Sequence, residues 1–333
     1  MEIMTPKPNE PTASNSRLEV PNATPLPTRR MLWATKRAAL EALSAKSQPA
    51  GASFRRRWEL FEQLTILAGF FLRIFGLFGR GKRNAQNVKL KEITLEFADL
   101  PLAFDGYRVL HLTDLHLDFT PGIEHPIAAA INQIKGPVDL AIFTGDFREK
   151  IYNGYRQILG PLRTILNEIK TVDGCFATLG NHDTVNMVND FQNLGIRVLA
   201  NETVEVERQK EKIAFTGVDD VHYYYTEYAL EALETSPPLF KMAFVHSAEM
   251  YAMAEANQYR LYLAGHTHGG QICLPGGYPV FTHHTAGRSR ARGLWKHKSM
   301  IGYTSCGAGT IALPVRYFSE SEVTVFTLKT KRS

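Results

Sequence analysis

The segment YRVLHLTDLH (residues 107–116) decides how this chain reads. It opens as an apolar run, Tyr107–Thr113, and ends on Asp114-Leu115-His116. Four further segments repeat the design. Val138–Thr144 runs into Gly145-Asp146, and Cys175–Leu179 into Gly180-Asn181-His182-Asp183. Met242–Val245 runs into His246, and Leu261–Ala264 into Gly265-His266-Thr267-His268. Short apolar runs of this kind read as strands buried on both faces. Helical patterns near Ile127–Lys135, Tyr155–Lys170 and Val185–Leu194 fall between them. The alternation predicts an α/β protein with a substantially parallel sheet, whose polar groups collect at the carboxyl ends of its strands. Lys89–Phe97 alternates as a first strand. Val204–Arg208, Lys212–Val218, Met300–Ser305 and Glu322–Leu328 alternate like antiparallel strands, which predicts a second sheet packed on the first.

The side chains gathered this way have one chemistry. Carboxylate, amide oxygen and imidazole without thiolate suit Mn, Fe, Zn or Co. A carboxylate can bridge two cations, and a cation pair roughly 3.5–4 Å apart can clamp the attacking and leaving oxygens of a phosphoryl displacement. Alternate residues of an extended segment point the same way, so Asp114 with His116, and His266 with His268, can face one pocket. An isolated His246 would read as a structural histidine; its place at the end of an apolar run makes it a ligand candidate.

The ordered series Asp-x-His, Gly-Asp, Gly-Asn-His-Asp, His and Gly-His-x-His over Asp114–His268 resembles the calcineurin-like metallophosphoesterase superfamily. Gly-His-Thr-His-Gly-Gly-Gln (265–271) and the Ser305–Thr310 segment followed by Pro314-Val315-Arg316 resemble, more narrowly, its bacterial membrane-associated phosphoesterases. The resemblance covers about Lys89–Leu328. It implies a four-layer sandwich, two mixed β-sheets flanked by helices, and two divalent metal ions (Mn, Fe or Zn). Asp114, His116 and His268 would hold one metal, Asn181, His246 and His266 the other, and Asp146 would bridge them. His182 would assist the leaving oxygen, with Asp183 behind it orienting His182 or a ligand. Two departures bear on substrate contacts: Phe147-Arg148-Glu149 follows the bridging Asp, and Cys306 stands where relatives often carry Arg. His222, His283, His284 and His297 match no block and read as ordinary loop or surface residues; Arg288, Arg290 and Arg292 read as a solvated face.

Outside this region the chain changes character. Residues 1–83 carry 14 Lys+Arg against 6 Asp+Glu, and the remainder 24 against 27, although the whole chain has a net charge of +5. The basic arm suits an anionic surface, while the acidic remainder argues against a nucleic-acid partner. Residues 1–53, rich in Pro, Ser, Thr and Asn, read as a disordered N-terminal arm, with a helical pattern around Met31–Ala45. Residues 54–83 read as one basic amphipathic helix: Phe61, Leu64, Leu67, Phe71, Ile74 and Phe78 recur at three and four, between Arg55-Arg56-Arg57 and Arg80, Lys82 and Arg83. Its apolar stretch is short of the roughly 20 residues that span a bilayer, so it is expected to lie in an anionic membrane interface, the alternative being a helix packed on the enzyme body or on another subunit. Residues 88–330 form the catalytic domain. Three scattered cysteines, Cys175, Cys273 and Cys306, read as buried apolar groups.

The expected protein is therefore a metal-dependent phosphoesterase at the cytoplasmic face of a membrane, peripheral or monotopic. Its substrate is expected to be a membrane-borne phosphodiester or pyrophosphate. The resemblance implies one in particular, a UDP-linked diacylated sugar of lipid A synthesis. The alternatives are a phosphodiesterase acting on soluble substrates and a metal-stabilised interaction scaffold without catalysis. The intact His182 counts against the scaffold.

Overall fold

A computed structural model describes residues 28–46, 52–151, 154–279 and 287–331. In chain order the strands are β1 (Lys89–Phe97), β2 (Tyr107–Leu112), β3 (Val138–Thr144), β4 (Thr171–Thr178), β5 (Ile196–Val198), β6 (Glu202–Arg208), β7 (Glu211–Val218), β8 (Phe240–Val245), β9 (Leu261–Ala264), β10 (Cys273–Leu274), β11 (Tyr278–Pro279), β12 (Gly293–His297), β13 (Met300–Thr304) and β14 (Glu322–Thr330). The helices are α1 (Arg29–Lys46), α2 (Ala52–Ile74), α3 (Phe78–Gln86), α4 (Glu124–Ile131), α5 (Leu159–Leu166), α6 (Met187–Asn193), α7 (Glu227–Glu234) and α8 (Tyr251–Ala256).

Two six-stranded mixed sheets carry the fold, ordered β1-β14-β2-β3-β4-β5 and β12-β13-β9-β8-β7-β6. The period-two alternation of each strand divides its residues between two layers. In β8, Met242 and Phe244 enter the core between the sheets, where they meet Val109, Ile142 and Phe176 of the other sheet. Ala243 and Val245 point outward to Leu233 and Ala254 of α7 and α8. In β2 and β3, Leu110, Leu112 and Phe143 likewise face Ile127, Leu162 and Phe191 of α4, α5 and α6. The result is a helix–sheet–sheet–helix sandwich, as expected.

The division of strands between sheets differs from expectation. β8 and β9 belong to the second sheet, parallel to each other and to β7. β14 sits in the first sheet, parallel to β1 and antiparallel to β2. Periodicity reports which faces of a strand are buried, and the two sheets bury both faces in the same way, so the pattern cannot assign partners.

The N-terminal region departs from the reading in two respects. The helical pattern around Met31–Ala45 is realised as α1 (Arg29–Lys46), but this part of the arm is not disordered: Trp33 and Arg37 are fully buried against the body. Residues 1–27 of the arm lie outside the described residues. The single helix expected over 54–83 is two helices meeting at 107°. Gly76, at φ +66°, lets Leu77 N–H bond Leu72 O (2.8 Å) and Gly76 N–H bond Arg73 O (3.0 Å), a glycine-capped helix end. Beyond it α3 lies on residues 315–321: Gly81 is pressed on Val315 and Tyr317, and the Asn84 amide donates to Arg316 O (3.0 Å). Gly69 of α2 rests on Leu313, while Ile66, Phe70 and Phe75 are 67%, 55% and 69% exposed. Among the described residues no single helix is long and apolar enough to cross a membrane; the bent pair Gln63–Ile74 and Phe78–Gln86 passes that test jointly.

Candidate metal centre

β2, β3 and β4 of one sheet and β8 and β9 of the other end at the same edge of the sandwich. Their following loops bring Asp114, His116, Asp146, Asn181, His182, Asp183, His246, His266 and His268 together. Asp114, His116, Asp146, His266 and His268 all hold positive φ, between 41° and 72°. Such backbone is costly for residues with a Cβ and persists where surrounding structure imposes it. Two glycines allow the loops to meet. A Cβ on Gly180 would collide with the Asp146 carboxylate, and one on Gly265 with Thr113 and the Asp114 carboxylate.

The donor atoms form two groups. Asp114 Oδ1 lies 3.5 Å from His268 Nε2, which is 3.2 Å from His116 Nε2. Asn181 Oδ1 lies 3.0 Å from both His246 Nε2 and His266 Nδ1, and these two nitrogens are 3.2 Å apart. Asp146 Oδ2 stands between the groups, 3.3 Å from His246 Nε2 and 3.8 Å from His116 Nε2. His182 is at the rim, with Nε2 4.0 Å from Asp146 Oδ2.

Backbone and carboxylate contacts aim these rings. His246 Nδ1 meets Thr144 O at 2.7 Å, and His116 Nδ1 meets Arg148 O at 3.1 Å and Glu149 Oε2 at 3.0 Å. His182 Nδ1 donates to Glu149 O (2.8 Å), and its own carbonyl accepts from Arg148 Nε (2.7 Å). The Asp183 carboxylate accepts the backbone N–H of Asp146 (2.8 Å), Phe147 (2.9 Å) and Gly180 (2.8 Å). It therefore joins the two ligand-bearing loops, and the His182 ring is held instead by Glu149 O.

The electrostatics of the buried centre favour cations. Burial alone would pull the His246 and His116 imidazoles down. The carboxylates of Asp146 and Glu149 outweigh it, pushing His246 to about 10 and His116 to about 9. Burial likewise opposes the ionised Asp146, yet His246 and His182 hold it well below the usual carboxylate range. Pairs of imidazole nitrogens at 3.2 Å, both turned toward the same carboxylates, make a donor set suited to a divalent ion. Two carboxylate-and-histidine groups, Asp114–His116–His268 and Asp146–His246–His266, have the ligand spacing of metal sites, and a third, His116–Glu149–His182, adjoins them.

Several participants escaped the sequence reading. Glu149, quoted only as part of a departure after the bridging Asp, belongs to the centre through its contact with His116. His222 is no ordinary loop residue: its ring lies 4.4 Å from that of His266, and Nδ1 pairs with Glu249 Oε1 at 3.1 Å. His297 packs on Tyr251 at the far layer, and His283 and His284 lie outside the described residues. Arg292 is not a solvated side chain: it donates to Gly277 O and Phe318 O, both at 3.0 Å. Arg290 lies over the Tyr251 ring at 3.8 Å.

Comparison with known proteins agrees with this geometry. Residues 107–270 match the family model of the calcineurin-like phosphoesterases. The uncharacterized metallophosphoesterases YkuE and YkoQ of Bacillus subtilis (strain 168) are each 29% identical. YkuE aligns over 73% of this chain and 86% of its own length, and YkoQ over 78% and 98%. A transmembrane protein with metallophosphoesterase domain from Danio rerio is 26% identical over 86% of this chain and 65% of its own. The donor set, the sandwich that assembles it and these relatives together identify the chain as a metal-dependent phosphoesterase similar to the calcineurin-like phosphoesterases.

Proposed function

We propose that this protein hydrolyses a phosphodiester or pyrophosphate bond of a membrane-borne substrate, using two divalent cations (Mn, Fe or Zn). Asp114, His116 and His268 would hold one and Asn181, His246 and His266 the other, with Asp146 within reach of both. When bound, such a pair supplies an ionised water at neutral pH and charge neutralisation around the phosphoryl oxygens. The remaining work belongs to the chain. The Glu149 carbonyl holds His182 Nδ1, leaving Nε2 turned to the centre, where it delivers a proton to the leaving oxygen. Asp183 keeps the Asp146 and Asn181 loops in register through three backbone N–H groups.

The observation that carries this reading is the convergence of Asp146 Oδ2 on histidines of both donor groups, with His182 at the open side. Support for a substrate at a membrane comes from α2, where Ile66, Leu67, Phe70, Phe71 and Ile74 are exposed, beside exposed Arg80, Lys82 and Arg83 on α3. Phosphorylated lipid and the anionic surface that contains it are the proposed partners, at the cytoplasmic face.

The test is hydrolysis, with Mn supplied, of bis(p-nitrophenyl) phosphate and of a panel of soluble and vesicle-borne phosphodiesters and pyrophosphates, one of them a UDP-linked diacylated sugar. Turnover of the artificial diester with preference for vesicle-borne substrates is expected. Equal turnover of soluble counterparts would remove the membrane part, and no turnover with any divalent metal would favour the scaffold.

A further inference from the structure

α1 lies outside residues 107–270, yet it reaches the back of the loop that carries Asn181 and His182. Arg37 is fully buried, and each arm of its guanidinium is engaged. Nε donates to Glu41 Oε1 (2.8 Å) and one terminal nitrogen to Asp219 Oδ1 (2.6 Å). The other terminal nitrogen donates to Gly180 O (2.9 Å) and Asp183 O (3.1 Å), the carbonyls on either side of the Asn181-His182 pair. The planar group also lies over the Tyr224 ring at 3.9 Å. Glu41, one turn further along α1, takes the Thr184 hydroxyl (2.6 Å) and the Val185 N–H (2.9 Å) of the same loop. Trp33, one turn earlier, bonds Asp219 Oδ2 (2.7 Å) but does not reach the loop.

Among the described residues the loop between β4 and α6 has no sheet partner for its carbonyls, and Gly180 O has besides Arg37 only the long bond from Asp183 N–H (3.3 Å). A buried carbonyl left unpaired is costly, and a buried guanidinium is tolerated only when its donors are satisfied. Each requirement meets the other here. On its opposite side the loop presents Asn181 Oδ1 to His246 and His266, and His182 to Glu149 O. Arg37 thus holds from behind the two residues that work in front.

We propose that Arg37 is a positioning residue for the reaction: its fork on Gly180 O and Asp183 O sets where Asn181 and His182 stand, making α1 part of the catalytic unit. This rests on the two-cation reading above. A planar fork is required, since a lysine would keep the charge beside Asp219 but lose the simultaneous grip on both carbonyls.

The experiment compares Arg37→Lys with Trp33→Phe in the full chain. It measures kcat and KM on bis(p-nitrophenyl) phosphate, and binding of Mn²⁺ alone to metal-stripped protein by the electron spin resonance of the free ion. Arg37→Lys is expected to lower kcat about tenfold or more with KM within about twofold, and to weaken one of two Mn²⁺ binding steps about tenfold. Trp33→Phe, which removes one α1 bond to Asp219 Oδ2 and leaves the Arg37 fork in place, is expected to lower Tm but leave kcat and both binding steps within about twofold. If Arg37→Lys does not fold, Thr184→Val removes the neighbouring Glu41 bond and is expected to show the same split to a smaller degree. Arg37→Lys indistinguishable from the wild type, or Trp33→Phe losing as much turnover as Arg37→Lys, overturns the proposal. Wild-type protein without two Mn²⁺ steps refutes the two-cation reading instead; the kcat comparison then still decides the role of Arg37.

Discussion

Asp146 and His182 stand close together, but their loss should have different consequences. Asp146 Oδ2 lies within 3.3–3.8 Å of histidines from both donor groups. Asp146→Asn is expected to reduce cation content and turnover together, measured by elemental analysis alongside rate. His182 contributes no atom to either principal donor group, so His182→Ala should retain its cations while kcat falls about 10²–10⁴-fold; unimpaired turnover would reject its role as acid. Gly265→Ala drives a methyl into the Asp114 carboxylate and should lose both cation binding and stability, read by Tm. At this scale the sequence was most legible where chemistry follows directly on a strand end, as with Asp114, Asp146 and His246. Glu149 and His222 were not legible, because each acts on a histidine distant in sequence, His116 and His266, and only the folded loops bring them together.

The α2–α3 hairpin can be weighed by burial energetics. Withdrawing a Phe or Ile side chain from water is worth roughly 1.5–3 kcal/mol, and each basic residue near an anionic surface about 1 kcal/mol. Ile66, Phe70 and Phe75, with Arg80, Lys82 and Arg83 nearby, would together supply the energy that the proposed peripheral association needs. Ile66→Glu with Phe70→Glu should abolish co-sedimentation with vesicles of anionic phospholipid while turnover of a soluble diester stays within about twofold. Continued sedimentation would exclude this face as the attachment site. The apolar spacing was readable across residues 61–78, but it ran through Gly76, and the spacing rule does not register that a left-handed glycine turns the chain there.

For the molecule as a whole, the arrangement depends on two sheets presenting their strand ends at one edge. One supplies Asp114, His116, Asp146 and Asn181; the other supplies His246, His266 and His268. The layers and the site edge could be anticipated, because parallel strands buried on both faces must deliver their polar groups at their ends. The position of α1 could not, since nothing in the Arg29–Lys46 pattern reveals that Arg37 would find carbonyls near residue 180. Removal of residues 1–51 should therefore lower Tm and turnover, because Asp219, Gly180 O and Asp183 O lose the buried Arg37 guanidinium, and Asp183 O would be left unpaired at roughly 1–3 kcal/mol. Elemental analysis of the active protein, paired with its rate before and after exhaustive chelation, tests the central claim most directly. Two equivalents of divalent metal per chain, activity lost on chelation and regained on adding Mn²⁺, are expected; full turnover by protein holding no cation would contradict it.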